Sequence, residues 1–201
     1  CHRGGREIPV ELSISAAATV DGRTTFIAFL RDIAERKRAE ALQALQLGVT
    51  RALSGARTLE EAAPRILAEI GTRLDLDLAQ RWEVSSSGDA LTCKESWCSP
   101  GLSAADFIHH SQSTSFARGI GLPGRAWADG QTALIPDLEV DADFRRREDA
   151  LRAGLHGAVA FPVLNGVAVT GVLELYATEV DAFASEAVRA LASTGSQVGQ
   201  F

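Results

Sequence analysis

The chain has 201 residues, of which 46% are hydrophobic and 23% charged, a balance that fits a folded domain with a core and excludes a disordered chain. A formal net charge of -6 and a pI near 5.3 exclude a basic nucleic-acid face; the one basic run, Arg36-Lys37-Arg38, is bracketed by Glu35 and Glu40 and reads as a solvated helix face. No apolar run approaches the roughly 18 residues needed to cross a bilayer, and three cysteines at irregular positions point to a reducing, cytoplasmic setting rather than a disulfide scaffold.

The chain contains no Met and opens at Cys1, so it reads as a piece of a longer protein. "GREIPVELSISA" alternates, with Ile8, Val10, Leu12 and Ile14 on one face, and predicts a half-buried strand. Asp21-Gly22 makes a turn and "RTTFIAFLR" returns as a second strand. A lone hairpin is marginal in water, so these strands are expected to belong to a larger sheet. Asp32 caps a helix starting at about Ile33, on which Leu42, Leu45, Val49 and Ala52 form a stripe. That stripe is either a seam for a partner helix or the face by which the helix lies on its own domain.

Thr58 and Glu61 predict a capping box for a second helix with Leu59, Ala62, Ile66, Ile70 and Leu74 along one side, which Pro64 should kink or interrupt. Strands are predicted at 79–84 and 91–97, the second with Leu91, Cys93 and Trp97 on a shared face. The polar stretch 99–115 carries no clear period. "GAVAFPVLNGVAVTGVLELYA" is two apolar runs joined at Asn165-Gly166, a hairpin expected in the middle of a sheet covered on both sides. A last helix is predicted from about Asp181, with Ala184, Val188, Leu191, Gly195 and Val198 in register.

Several patterns mimic chemistry. Gly119, Gly121 and Gly124 spell G-x-G-x-x-G, but too few residues follow before the next strand at about Ala133 to hold a crossover helix. Pro123 instead starts one or two helical turns that Gly130 ends. Asp137, Glu139, Asp141, Asp143 and Glu148 fall at calcium-loop positions, yet Ala142 stands where the loop needs glycine, which predicts a solvated acidic loop. Cys93, Cys98, His109 and His110 lack zinc-ligand spacing, and no metal is expected. His156, at the mouth of the apolar hairpin, is a candidate ligand contact, with a structural histidine as the alternative. Nothing pairs a nucleophile with a base and an orienting acid, so no catalytic residues and no enzymatic activity are expected of this chain.

Two parts resemble known families. "GREIPVELSISAAATVDGRTTFIAFLRDIAERKRAE" resembles the last strands of a PAS domain running through an Asp-Ile-Thr junction, with Ala34 in place of the Thr, into a signalling helix. Residues 40–201, through "GLPGRAW", "IPDL", "AGLHGA", "FPV", "GVLEL" and "GSQVGQF", are similar to the GAF domains of bacterial sensors, especially PAS–GAF histidine kinases. The resemblance implies an α+β fold: a central antiparallel sheet of five or six strands with helices on both faces. It implies three parts: PAS strands at 1–32, a linker helix at 33–54 and a GAF domain at 55–201.

It further implies a small-molecule pocket roofed by residues 144–154 and lined by Arg118, Trp127, Ile135, Phe144, Leu151 and His156. Cyclic-nucleotide relatives carry an Asn-Lys-Phe signature and bilin relatives a Cys-His pair; the only Asn here is Asn165, and "FRRREDALRAG" has neither Cys nor His. The cofactor is therefore left unknown, with a noncovalent pigment or a histidine-held haem still open. The implied role is a regulatory module of a two-component histidine kinase, acting as a parallel homodimer through Leu42, Leu45, Val49, Val188, Leu191 and Val198 toward an output domain of the same chain. A diguanylate cyclase parent and a ligand-free dimerisation spacer are the alternatives.

Overall fold

The computed structural model describes residues 9–18, 24–180 and 182–183. The chain divides into two compact units, Cys1–Gln43 and Ala44–Phe201. In the first unit, β1 (Val10–Ala18) pairs antiparallel with β2 (Thr24–Asp32), Leu12 opposite Leu30 and Ile14 opposite Ala28. The alternation thus gathers apolar side chains on one face, as the sequence predicts, but that face is not half-buried: Leu12 is 55% and Ile14 61% exposed. A two-stranded ribbon has no second layer to cover it. The Asp21-Gly22 turn and Ile8 lie outside the described residues.

Helix α1 spans Ala34–Ser54, and the Asp32 carboxylate accepts a hydrogen bond from the Ala34 N–H at 2.8 Å, the predicted cap. From Leu45 onward its apolar stripe lies in the second unit's own core, with Leu45 1% and Val49 0% exposed. This corrects the partner-helix reading of those two residues: side chains already buried by their own domain have no surface left for a second chain. Leu42 is half-buried. The predicted last helix, with Val188, Leu191 and Val198, lies outside the described residues.

Helix α2 (Leu59–Arg73) starts at Thr58, whose hydroxyl accepts from the Glu61 N–H at 3.4 Å, while the Glu61 carboxylate reaches back to the Arg57 N–H at 2.9 Å. Pro64 does not interrupt it. A proline deletes the bond to the carbonyl four residues earlier, and here both Pro64 and Glu60 stand on the exposed side of the helix, where losing that bond costs less than in the core.

Six antiparallel strands form the sheet: β3 (Leu78–Val84), β4 (Leu91–Cys98), β5 (Ser115–Phe116), β6 (Ala133–Ile135), β7 (Gly157–Asn165) and β8 (Ala168–Ala177), in the order β5-β4-β3-β8-β7-β6. The apolar hairpin β7–β8 holds interior positions, as its two-sided hydrophobicity requires. A bulge opposes Arg81 to Glu95 but Trp82 to Cys93, leaving Lys94 as the extra residue. The bulge reverses side-chain parity, so Leu91 and Cys93 enter one core while Trp97 packs against the other, correcting the expected shared face.

Each side of the sheet carries a core. One joins the second half of α1 and α2 to Val159, Phe161, Leu173 and Leu175. The other lies under α3 (Ala105–Ser113), α4 (Gly121–Asp129), α5 (Arg147–Arg152) and their connecting loops. Helix α3 occupies the stretch without a clear period. Helix α4 opens at Gly121, two residues ahead of the predicted Pro123, and ends as predicted at Gly130, which is left-handed at φ 61°. Packing accounts for the glycine motif: a Cβ on Gly121 would stand 2.7 Å from the Phe116 ring, and one on Gly124 2.5 Å from the Ala117 carbonyl oxygen.

Candidate functional site

Strand periodicity builds the site. Along β8 the residues Leu173, Leu175 and Ala177 enter the core shared with α1 and α2, so Val172, Glu174 and Tyr176 point to the opposite core. Glu174 lies opposite Gln80, and Val172 opposite Trp82, on neighbouring β3. A carboxylate is thereby fixed in the middle of a covered sheet, where an unpartnered charge costs several kcal/mol; Glu174 and Gln80 are both 0% exposed.

Its partner is Arg146, the residue preceding α5, itself 1% exposed. Arg146 Nη2 donates to Glu174 Oε1 and Oε2 at 2.7 and 2.9 Å and to the Tyr176 hydroxyl at 2.9 Å. Nη1 donates to Gln80 Oε1 at 3.1 Å and to the Ser111 hydroxyl at 2.7 Å. The Trp82 indole N–H donates to Glu174 Oε2 at 2.8 Å. Five rings surround the guanidinium carbon, Trp82 at 5.0 Å, Phe107 and Phe116 at 5.1 Å, Phe144 at 5.4 Å and Tyr176 at 6.0 Å, all within cation–π range. Arg146 Nε has no hydrogen-bond partner.

Burial works to lower the Arg146 pKa, but its neighbours, the Glu174 carboxylate first among them, together outweigh it and hold the guanidinium above its ordinary value. The Tyr176 hydroxyl is pushed well up, first by burial, so it stays protonated. Burial also raises the Cys93 thiol to about 11 and lifts Cys98.

Of the residues expected to line a pocket, Phe144 stands against the Arg146 guanidinium. Trp127 and Ile135 are buried in the same core, and Leu151 packs against it half-buried. Arg118 is exposed, donating to the Ala128 carbonyl at 3.3 Å with its guanidinium 6.0 Å over Trp127. The His156 main chain bonds Ala177 and Leu138, a strand-edge role. The signal for the cluster was present in "GVLELYA", where one carboxylate interrupts a run expected to be buried. Arg146 carried no such signal among three consecutive arginines.

No group of His, Cys, Asp and Glu among the described residues is arranged to hold a metal. His110 Nδ1 instead pairs with Asp149 at 2.5 Å, and Asp137 and Asp141 each accept a bond from the N–H two residues on, capping their own turns. A groove of about 420 Å³ lies between the start of α2 and the ends of β3, β7 and β8, lined by Leu59, Glu60, Arg81, Val163 and Thr170. Its one buried cation, Arg81, is already paired with Glu95 and Glu83.

An antiparallel sheet with a helical layer on one face and short helices and loops on the other defines an α+β module with a separate core on each side of the sheet. The GAF domain family matches residues 56–201, and the chain belongs to that family, whose domains serve as sensory and regulatory modules. Similar solved structures include the free methionine-R-sulfoxide reductase of Neisseria meningitidis with its substrate (TM-score 0.66, 16% identity, covering 82% of this chain and 89% of that one). The GAF domain of an Acinetobacter phosphoenolpyruvate-protein phosphotransferase is also similar (TM-score 0.63, 12% identity, 80% and 90% covered). So is the A. aeolicus nlh2 GAF domain in an inactive state (TM-score 0.63, 18% identity, 81% and 95% covered). These likenesses carry the fold. No curated protein sequence matches the chain, and no helix among the described residues is long and apolar enough to cross a membrane.

Proposed function

We propose that the chain is the non-enzymatic sensory part of a bacterial two-component histidine kinase, relaying a change on the Arg146 side of the sheet to α1 on the other. The supporting observation is strand β8: Glu174 and Tyr176 hold Arg146 on one face, while Leu173 and Leu175, their immediate neighbours, enter the core that contains Leu45 and Val49 of α1. A shift of β8 that relieves one side is felt on the other, because packed interiors transmit displacement. In this reading β1–β2 is the end of a PAS domain, and dimeric helices carry the change to an output domain of the same cytoplasmic chain.

The thiols support a regulatory rather than a reductase role. A reacting cysteine needs its thiolate, and both described thiols are shifted by burial toward the protonated form. The reading is tested on the full-length protein, by following ATP-dependent histidine phosphorylation in wild type and in Glu174→Gln. A changed rate is expected. An unchanged rate refutes the relay, and absence of histidine phosphorylation with formation of a cyclic dinucleotide assigns the module to a cyclase.

A further inference from the structure

The receptor around Arg146 is built from regular elements: Gln80 and Trp82 on β3, Phe107 and Ser111 on α3, Phe116 on β5, Glu174 and Tyr176 on β8. The guanidinium comes from elsewhere, delivered at the head of the six-residue α5 after a connection that contains no helix or strand between Ile135 and Arg147. Guest and receptor therefore belong to different parts of the fold, and only Phe144 travels with the guest.

The hydrogen bonds divide in the same way. Both terminal nitrogens are read, Nη1 by Gln80 and Ser111 and Nη2 by Glu174 and Tyr176. Nε, the atom through which the side chain is tethered, is buried without a partner. What is recognised is thus the end common to every mono-substituted guanidine, while the arginine-specific attachment goes unread. Cation–π contact supplies the faces and a carboxylate the charge.

Building on the regulatory reading, we propose that this cage is a binding site for a small free guanidinium compound, and that Arg146 is its built-in competitor. Entry of the ligand displaces Arg146, Phe144 and α5 from the sheet and opens the His110–Asp149 tie between α3 and α5. A quaternary ammonium would satisfy the rings but leave Glu174 with only the neutral donors of its own cage, and Gln80 Oε1 and the Ser111 hydroxyl without the donors the guanidinium brings, so the ligand class is a guanidinium. A tethered competitor acts at a local concentration on the order of millimolar, and the apparent affinity falls by the fraction of sites it leaves free. The wild-type protein therefore binds such a ligand weakly, and removal of Arg146 tightens binding by about tenfold or more.

Calorimetric titration of the whole chain with methylguanidine tests this, with choline as control, together with the Arg146 Nε–H resonance. Weak wild-type binding that moves this resonance, binding about tenfold tighter in Arg146→Ala, and loss of binding in Glu174→Gln are expected. If Arg146→Ala does not fold, the wild-type titration decides alone. A resonance unmoved by millimolar methylguanidine overturns the proposal, as does tighter binding in Arg146→Ala with none in wild type, which makes Arg146 a fixed structural pair. Choline binding as well as methylguanidine overturns the guanidinium assignment. None of these results touches the relay, which falls only if Glu174→Gln leaves the output unchanged.

Discussion

Replacing Arg146 by Met removes the cation but keeps most of its volume, and leaves Glu174, 0% exposed, with no charged partner, bonded only by the neutral Trp82 N–H and Tyr176 hydroxyl. Breaking a buried ion pair from one side costs about 3–5 kcal/mol, since the surviving charge stays buried. Glu174→Leu should cost a similar amount, stranding the guanidinium among its five rings. The double variant removes both charges and leaves only neutral groups, Trp82, Gln80, Ser111 and Tyr176, short of partners. It should therefore cost about 2–3 kcal/mol less than the sum of the single changes. At about 2–4 °C per kcal/mol for a domain of this size, each single variant should melt about 6–20 °C lower. Circular dichroism is the suitable assay, because fluorescence of Trp82 reports the site itself. Single variants costing under about 1 kcal/mol, or strict additivity in the double, would refute the claim that the pair organises this face.

Three further outcomes are expected. Cys93 has its pKa raised from 9.0 to about 11 by burial; the unfolded chain loses this proton first, so the stability it contributes is complete below pH 9 and falls by about 2–3 kcal/mol as pH rises to 11. Denaturant melts between pH 8 and 11 should show that slope, shallower in Cys93→Ala; an equal slope in both removes Cys93 as its cause. Gly71→Ala drives a methyl to within 1.9 Å of the Trp97 ring where α2 crosses β4, which overpacks the core by about 1–3 kcal/mol in a urea melt; a neutral result shows that Trp97 moves freely aside. Leu45→Ala should lower domain stability by about 2–5 kcal/mol through a core cavity, and a change confined to oligomeric mass, seen by sedimentation with no loss of stability, contradicts its placement in the core.

Local chemistry was legible residue by residue. Asp32 and Thr58 cap their helices through bonds that depend only on residues two or three positions away, and the left-handed Gly130 ends α4 for the same local reason. Misreadings arose where a partner distant in sequence decided the outcome. The strand alternation through Leu91, Cys93 and Trp97 holds only without a bulge, and the bulge is a property of the β3–β4 pairing. The stripe on α1 was apolar as read, but whether it met a second chain or its own sheet depended on α2 and β8 arriving beneath it.

The sequence by itself determined the α+β class, the order of the elements outside the stretch that became α3 and β5, the central apolar hairpin and the membership of the GAF family. These follow from periodicity, capping and turn chemistry, which act over a few residues. The tertiary structure alone decided the site. Arg146 and Glu174 are 28 residues apart, and Trp82 stands 92 from Glu174. Only closure of the sheet and descent of the α5 connection bring them into one desolvated cluster, because in a charge-rich run such as "FRRRE" nothing local marks which arginine will be buried.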